Sequence, residues 1–332
     1  VAKGYWAALS GLRSLTPQFS DGGNAGFSTA SIFKAYDDLI AKGEPDGEAS
    51  EGDVQAALGA KPIEAKYQVP FLHHAMMEPF ALTAHHKDGK LDIWGGMQDP
   101  LATKMLAVEV SGLDADNVTF HPMLIGGSFG RRLPMYMEIV EQVTQLAMQL
   151  PYPVKLIWSR EEEVQQGAYR PQSAAILKGA IGKDGKIAAY LNDYAQTESA
   201  ESETTFIYDL PVVARRHYEY ASNQQSGAWR SVNSTQQGFY NESFMDELAE
   251  AAGKDPYAYR MSLLEGKPRF ANVLKLAAQA AGWAPAPATL PEGLLPPSTD
   301  GHQLTVVFVA PSLVEPVQVG SLWLPPVGDS RP

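Results

Sequence analysis

The chain has 332 residues, of which 45% are hydrophobic and 19% charged, with no cysteine and a net charge of −12. This length suggests about two domains, and the composition belongs to a folded chain rather than a disordered one. Zero cysteines exclude disulfides, zinc–thiolate sites, iron–sulfur clusters and cysteine nucleophiles, and the acidic balance disfavours nucleic acid and anionic membrane as partners.

In chain order, Val1 to Trp6 does not read as a signal peptide. Ser28 or Thr29 caps a helix running to about Ala41, and residues 43–52 read as a loop. Asp88-Gly89 and Asp184-Gly185 each join two strand-like runs, Ala81–His86 with Leu91–Trp94 and Ala175–Ile181 with Ile187–Leu191, which predicts two hairpins. Asp99-Pro100 opens a helix to about Ser111. Val118–Ile125 reads as a strand, and Pro134 starts a helix to Leu150 with Ile139, Val140, Val143, Leu146 and Ala147 on one face. Lys155–Trp158 is a strand, and Ser159 with Glu162 forms a capping box. Tyr240–Ala252 reads as a helix; Asp255-Pro256 opens another to Leu264, and Pro268 the last, closed by Gly282.

Helices and strands mixed with hairpins predict an α+β fold. No apolar run reaches the ~18 residues of a membrane span. Past Trp283 the composition changes: residues 284–332 hold 10 of the 24 prolines and no lysine. Residues 284–332 read as an irregular C-terminal tail outside the core, with a Pro-rich edge strand plus linker or text from another reading frame as the alternatives.

Three segments carry candidate chemistry. Gly126, Gly127, Ser128, Phe129 and Gly130, followed by Arg131 and Arg132, lie between a predicted strand and a predicted helix. Glycines there let backbone amides approach an oxyanion, and the arginines add positive charge. The same residues fit G-x-S-x-G, with Ser128 as a serine nucleophile of an esterase or lactonase; His217 and His302 are the histidines downstream of it. His73, His74, His85 and His86 crowd a second segment. Neighbouring histidines on a strand point to opposite faces, so a buried, hydrogen-bonded His74 with Glu78 at a pocket is preferred over a metal site. The third segment, Gly227 to Gln237, sets Arg230 beside Trp229 among small polar residues, a setting that suits phosphate or carboxylate.

Together these blocks resemble the molybdopterin-binding large subunit of the xanthine dehydrogenase/aldehyde oxidase family, in the branch of isoquinoline 1-oxidoreductase-like aldehyde dehydrogenases. The likeness runs from about Ala2 to Trp283. It is carried by Tyr67–Pro79, Trp94–Pro100, Leu124–Arg132, Val154–Glu163, Tyr169-Arg170-Pro171, Trp229-Arg230-Ser231 and Glu242–Pro256. The resemblance implies part of a small hammerhead-like α/β domain over 1–64, a mixed-sheet molybdopterin-binding domain over 65–283 and the tail over 284–332. It implies hydroxylation of an aldehyde or N-heterocycle with oxygen from water, a molybdenum cofactor, and an iron–sulfur subunit as partner.

By the same resemblance Phe129 and Gly130 lie against the cofactor with Gly126, Gly127 and Ser128, Arg230 touches the cofactor region, and Tyr169 and Arg170 line the substrate funnel. Leu72 falls where better-known relatives have a glutamine near the metal, and Ser128 where relatives often have glycine. Relatives continue into a second half that supplies the general base. The chain is therefore expected to be a fragment truncated at both ends, incomplete for turnover alone. The remaining alternative is a non-catalytic binding protein that associates with itself through exposed apolar surface.

Overall fold

Two mixed sheets organise residues 1–197 and 206–283, which are the residues described by the computed structural model. The expected tail and His302 lie outside them. The elements in order are α1 (Tyr5–Arg13), α2 (Thr29–Lys42), β1 (Gly47–Glu51), α3 (Val54–Leu58), β2 (Ile63–Val69), β3 (Ala81–Lys87), β4 (Lys90–Gly95), α4 (Pro100–Ser111), β5 (Val118–Pro122), α5 (Ile139–Gln149), β6 (Val154–Ile157), α6 (Arg160–Gln165), β7 (Ser173–Ile181), β8 (Ile187–Gln196), β9 (Val213–Glu219), α7 (Ser234–Ala251), α8 (Pro256–Ser262) and α9 (Pro268–Ala280).

The larger sheet has the order β1-β9-β8-β7-β2 and the smaller β5-β4-β3-β6. The two Asp-Gly turns make the β3–β4 and β7–β8 hairpins, as their turn chemistry predicts. Asp88 takes φ 51° and Gly89 φ 76°, the left-handed pair that a tight hairpin turn needs. α4 begins where expected, with the Asp99 carboxylate accepting from the Ala102 amide and Pro100 in the first turn.

Period-two alternation lets the large sheet bury both faces. Ala175 and Leu177 on β7, with Tyr190 and Tyr194 on β8, pack against Tyr240, Phe244 and Leu248 of α7. Ala174 and Ala195, on the opposite face, meet Ile32 and Tyr36 of α2. The small sheet buries one face, where Leu82, Ala84, Leu91 and Ile93 meet Ile139, Val140 and Val143 of α5. Each cluster removes several large side chains from water, at about 1.5–3 kcal/mol apiece.

Four expectations need correction. The loop over 43–52 contains β1, which pairs antiparallel with β9. Its text, Gly-Glu-Ala-Ser-Glu, has no apolar alternation because it is an edge strand held by backbone bonds. The strand expected to reach Ile125 stops at Pro122. The helix expected from Pro134 is only a 3-10 turn, Pro134–Tyr136, and α5 starts at Ile139. Finally, α7 starts at Ser234, six residues before Tyr240, because its first turns bury the polar side chains Gln236 and Gln237 rather than apolar ones.

Among the described residues no helix is long and apolar enough to cross a membrane.

Candidate functional site

β4 and β5 are parallel neighbours joined through α4, so their carboxyl ends open side by side. Ligands gather at such ends because the connecting loops diverge there. Gly96–Gln98 leaves β4 and Met123–Arg132 leaves β5, with the Met123 amide still bonded to the Gly95 carbonyl.

The glycine loop turns sharply, with φ 100° at Gly127, 59° at Phe129 and 106° at Gly130. Positive φ at these positions takes the backbone out of strand and helix geometry, as in the concave turns whose amides bind anions. Among the described residues, the amides of Gly127, Ser128 and Phe129 donate to nothing. Gly130 is required by contact as well, since a Cβ there would sit 2.1 Å from the Ala228 carbonyl oxygen. That contact brings the third candidate segment, with Trp229 and Arg230, against the loop. The Arg230 guanidinium lies 5.9 Å from the centre of the Phe129 ring and its side chain is exposed. Among the described residues it has no carboxylate partner, so its charge is available to an anion beside the amides.

Arg131 and Arg132 do not do what the sequence suggests. They are 1% and 0% exposed. Arg131 donates to the carbonyls of Tyr136 (3.0 Å) and Gln166 (2.8 Å). Arg132 donates to the carbonyls of Gly127 (3.0 Å), Gly96 (2.9 Å) and Glu78 (2.8 Å), and pairs with the Glu78 carboxylate at 3.2 Å. Both guanidinium groups lie over the Phe80 ring. They fasten the loop from behind. The Tyr136 carbonyl that Arg131 holds belongs to the 3-10 turn Pro134–Tyr136, and α5 starts only at Ile139, so the cradle does not sit on the helix N-terminus that the sequence predicts.

Gln98 is a residue that the sequence reading overlooks. Its Oε1 accepts from the Ser128 hydroxyl, from the Gly130 amide at 3.1 Å and from the Arg132 amide at 3.2 Å. The cradle thus holds a glutamine from the β4–α4 turn, although Leu72 occupies the position where one was sought. The parallel pairing of β4 with β5 brings Gln98 here; it lies inside the Trp94–Pro100 block, but nothing in that text assigns it a role at the cradle. Ser128 has no histidine partner among the described residues. His217 instead lies on β9, with its Nδ1 2.7 Å from Asp46.

The segment linking β2 to β3 forms another wall. His74 is 5% exposed, donates from Nε2 to the Ala228 carbonyl at 2.8 Å and packs against Trp229. The expectation of a buried, hydrogen-bonded His74 therefore holds. Burial pushes its pKa down to about 4. Because the unfolded chain takes up this proton near pH 6.5, folded stability falls as pH drops from about 6.5 to 4, by about 3 kcal/mol. Urea midpoints measured across that range should fall in the wild type and fall less in His74→Gln.

His73 accepts from the Ala75 amide on Nδ1, and its Nε2 lies 3.9 Å from the buried carboxylate of Glu163. Arg170 exchanges backbone bonds with Leu72 and donates from its guanidinium to the Pro70 carbonyl at 2.6 Å. Tyr169 faces the rings of Phe71 and His73 and accepts a backbone bond from Gly227. Tyr169 and Arg170 therefore tie the histidine segment to the Arg230 segment. Among the described residues no group of three or more His, Asp or Glu side chains is placed to hold a metal ion.

The profile of the family described as molybdopterin cofactor-binding domain matches residues 37–263. The beta subunit of isoquinoline 1-oxidoreductase from Brevundimonas diminuta is 28% identical over 258 residues, covering 71% of this chain and 33% of that protein. A nicotinate dehydrogenase subunit of Pseudomonas putida is 24% identical over 264 residues, covering 71% and 22%. Quinoline 2-oxidoreductase from Pseudomonas putida 86 shares the fold with a TM-score of 0.61 at 16% identity, over 74% of this chain and 37% of that one. Aldehyde oxidoreductase from Desulfovibrio gigas does so with a TM-score of 0.58 at 21% identity, over 71% and 29%. The chain thus spans a third or less of the length of these two curated relatives.

Proposed function

This chain belongs to the molybdopterin cofactor-binding domain family, and from that premise we propose that it forms one wall of the active site of a molybdenum hydroxylase acting on aldehydes or N-heterocycles. The observation that carries this reading is the run of unpartnered amides at Gly127, Ser128 and Phe129 beside the exposed Arg230. Molybdopterin brings its own sulfur ligands for the metal and carries oxyanions. The residues fit such a group: amide and cation donors are present, and a metal-binding cluster of side chains is not needed. Once bound, the group supplies the redox chemistry of hydroxylation.

The chain's own residues bind and orient. Gly126 to Gly130 with Arg230 hold the cofactor's face. Tyr169 and Arg170 shape the substrate approach, Arg170 by fixing the Leu72 backbone rather than by offering a free charge. Leu124 (96% exposed), Met77 (88%) and Met123 (56%) flank the cradle. Further polypeptide covering them, from the same subunit or a second copy, would keep water from the reacting centre.

Among the described residues, the carboxylate beside the cradle, Glu78, is not free to act as a general base. Both roles open to Glu78 are taken, since its carboxylate accepts from the Gly126 amide and pairs with Arg132. The base is supplied elsewhere in the enzyme, and the chain does not complete turnover alone. These 332 residues hold no cysteine, so clusters that carry the electrons away lie on other polypeptide, in this reading an iron–sulfur partner subunit.

Arg230→Ala tests the reading. Titrating purified protein with molybdopterin while following pterin fluorescence should show about tenfold weaker binding in the variant, the order expected for one lost charge-assisted bond. Equal affinity would remove Arg230 from the site, and no binding by the wild type would sink the proposal.

A further inference from the structure

We propose that Ser128 is a positioning residue that sets which end of the Gln98 side chain faces the open side of the cradle. The functional meaning of this rests on the cofactor reading above; the geometry does not. A carboxamide has nearly the same shape with oxygen and nitrogen exchanged, so its neighbours decide its orientation. Three donors meet at the Gln98 Oε1: the Ser128 hydroxyl, the Gly130 amide and the Arg132 amide. An NH2 group turned to that end would face two backbone amides that can only donate, and would take the hydroxyl's acceptor side away from the Arg132 amide.

The Gln98 Nε2 is therefore directed the other way, and among the described residues it has no acceptor. Two of the three donors are backbone amides, present whatever side chain stands at 128. The hydroxyl is the donor that the sequence adds. It also accepts from the Arg132 amide at 3.3 Å, which ties Gln98 to the arginine anchoring the loop. A glycine at position 128 would leave the carboxamide on its two backbone contacts, both longer than 3 Å. Ser128 thus makes the cradle a fixed donor toward an oxygen acceptor and a poor host for a ligand that presents a donor there.

The test uses ligand-free, deuterated, 15N-labelled full chain. The Gln98 side-chain NH2 pair is identified by its disappearance in Gln98→Leu. In the wild type this pair should be well dispersed and rigid. In Ser128→Ala and Ser128→Gly it should collapse toward free-glutamine shifts, and exchange of the Gly130 amide should quicken about tenfold, as for one lost hydrogen bond. Ser128→Thr, which keeps the hydroxyl, should restore both signals.

An unchanged Gln98 pair in the two hydroxyl-free variants would overturn the proposal, as would failure of a folded Ser128→Thr to restore it. The cofactor reading fails separately: a wild type that binds no pterin contradicts it whatever the Gln98 signals do. Weaker pterin binding in Ser128→Ala with unaltered Gln98 signals would keep the cofactor reading and reject this one.

Discussion

Gly130→Ala should destabilise the protein by about 3–5 kcal/mol, combining the cost of a left-handed alanine with that of overpacking. Two independent demands meet at this residue. Its φ of 106° suits glycine alone, and its missing Cβ is where the Ala228 carbonyl oxygen sits, 2.1 Å away. The methyl group meets backbone rather than a side chain that can swing aside, so the Ala228–Arg230 segment must retreat. That movement also strains the His74 bond to the Ala228 carbonyl. Urea unfolding followed by circular dichroism reads the stability loss. Gly238→Ala is the control, because a Cβ at Gly238 has nothing within 4 Å. Equal midpoints for the two variants would contradict the packing described for the cradle.

Arg132→Ala should cost about as much, 3–5 kcal/mol, for a different reason. The guanidinium is wholly buried and satisfies the carbonyls of Gly127, Gly96 and Glu78 at once. Its removal leaves those acceptors unpaired, at about 1–3 kcal/mol for each one that stays dry. The Glu78 carboxylate also loses its counter-charge. Arg132→Lys should recover only a fraction, since one ammonium group cannot reproduce the planar fork. Arg132→Met keeps apolar bulk under the Phe80 ring and separates packing from hydrogen bonding. If Met matched the wild type in urea midpoint, the anchoring role would be wrong.

The fold was legible wherever local chemistry decides the outcome. The two Asp-Gly turns and the Asp99-Pro100 cap act over a few residues, so their text reads directly as hairpins and a helix start. β1 and β9 escaped because their partners lie far along the chain: Gly47 pairs with His217. β9 carries Arg215 and Arg216 in its middle, which hides any strand alternation.

The site divides in the same way. The glycine cradle was visible because only glycine-rich text makes such a loop. The roles of its neighbours were not, because they depend on burial. Arg131 and Arg132 look like anion donors as text, yet the fold turns both inward onto carbonyls. Gln98 falls in the Trp94–Pro100 block, but its contact with the cradle depends on β4 lying beside a strand that begins twenty residues after it. Arg230 alone of the three arginines keeps an exposed charge, and its neighbour Trp229 was the one local hint.

The most direct measurement is chemical analysis of pterin and molybdenum in protein purified from a host that makes the cofactor, with the correctly folded Gly238→Ala beside Gly130→Ala. Pterin should be retained by the wild type and by Gly238→Ala, and lost from Gly130→Ala. A wild type with its native circular dichroism spectrum and no pterin, or a Gly130→Ala variant that retains as much as the wild type, would contradict the cofactor reading.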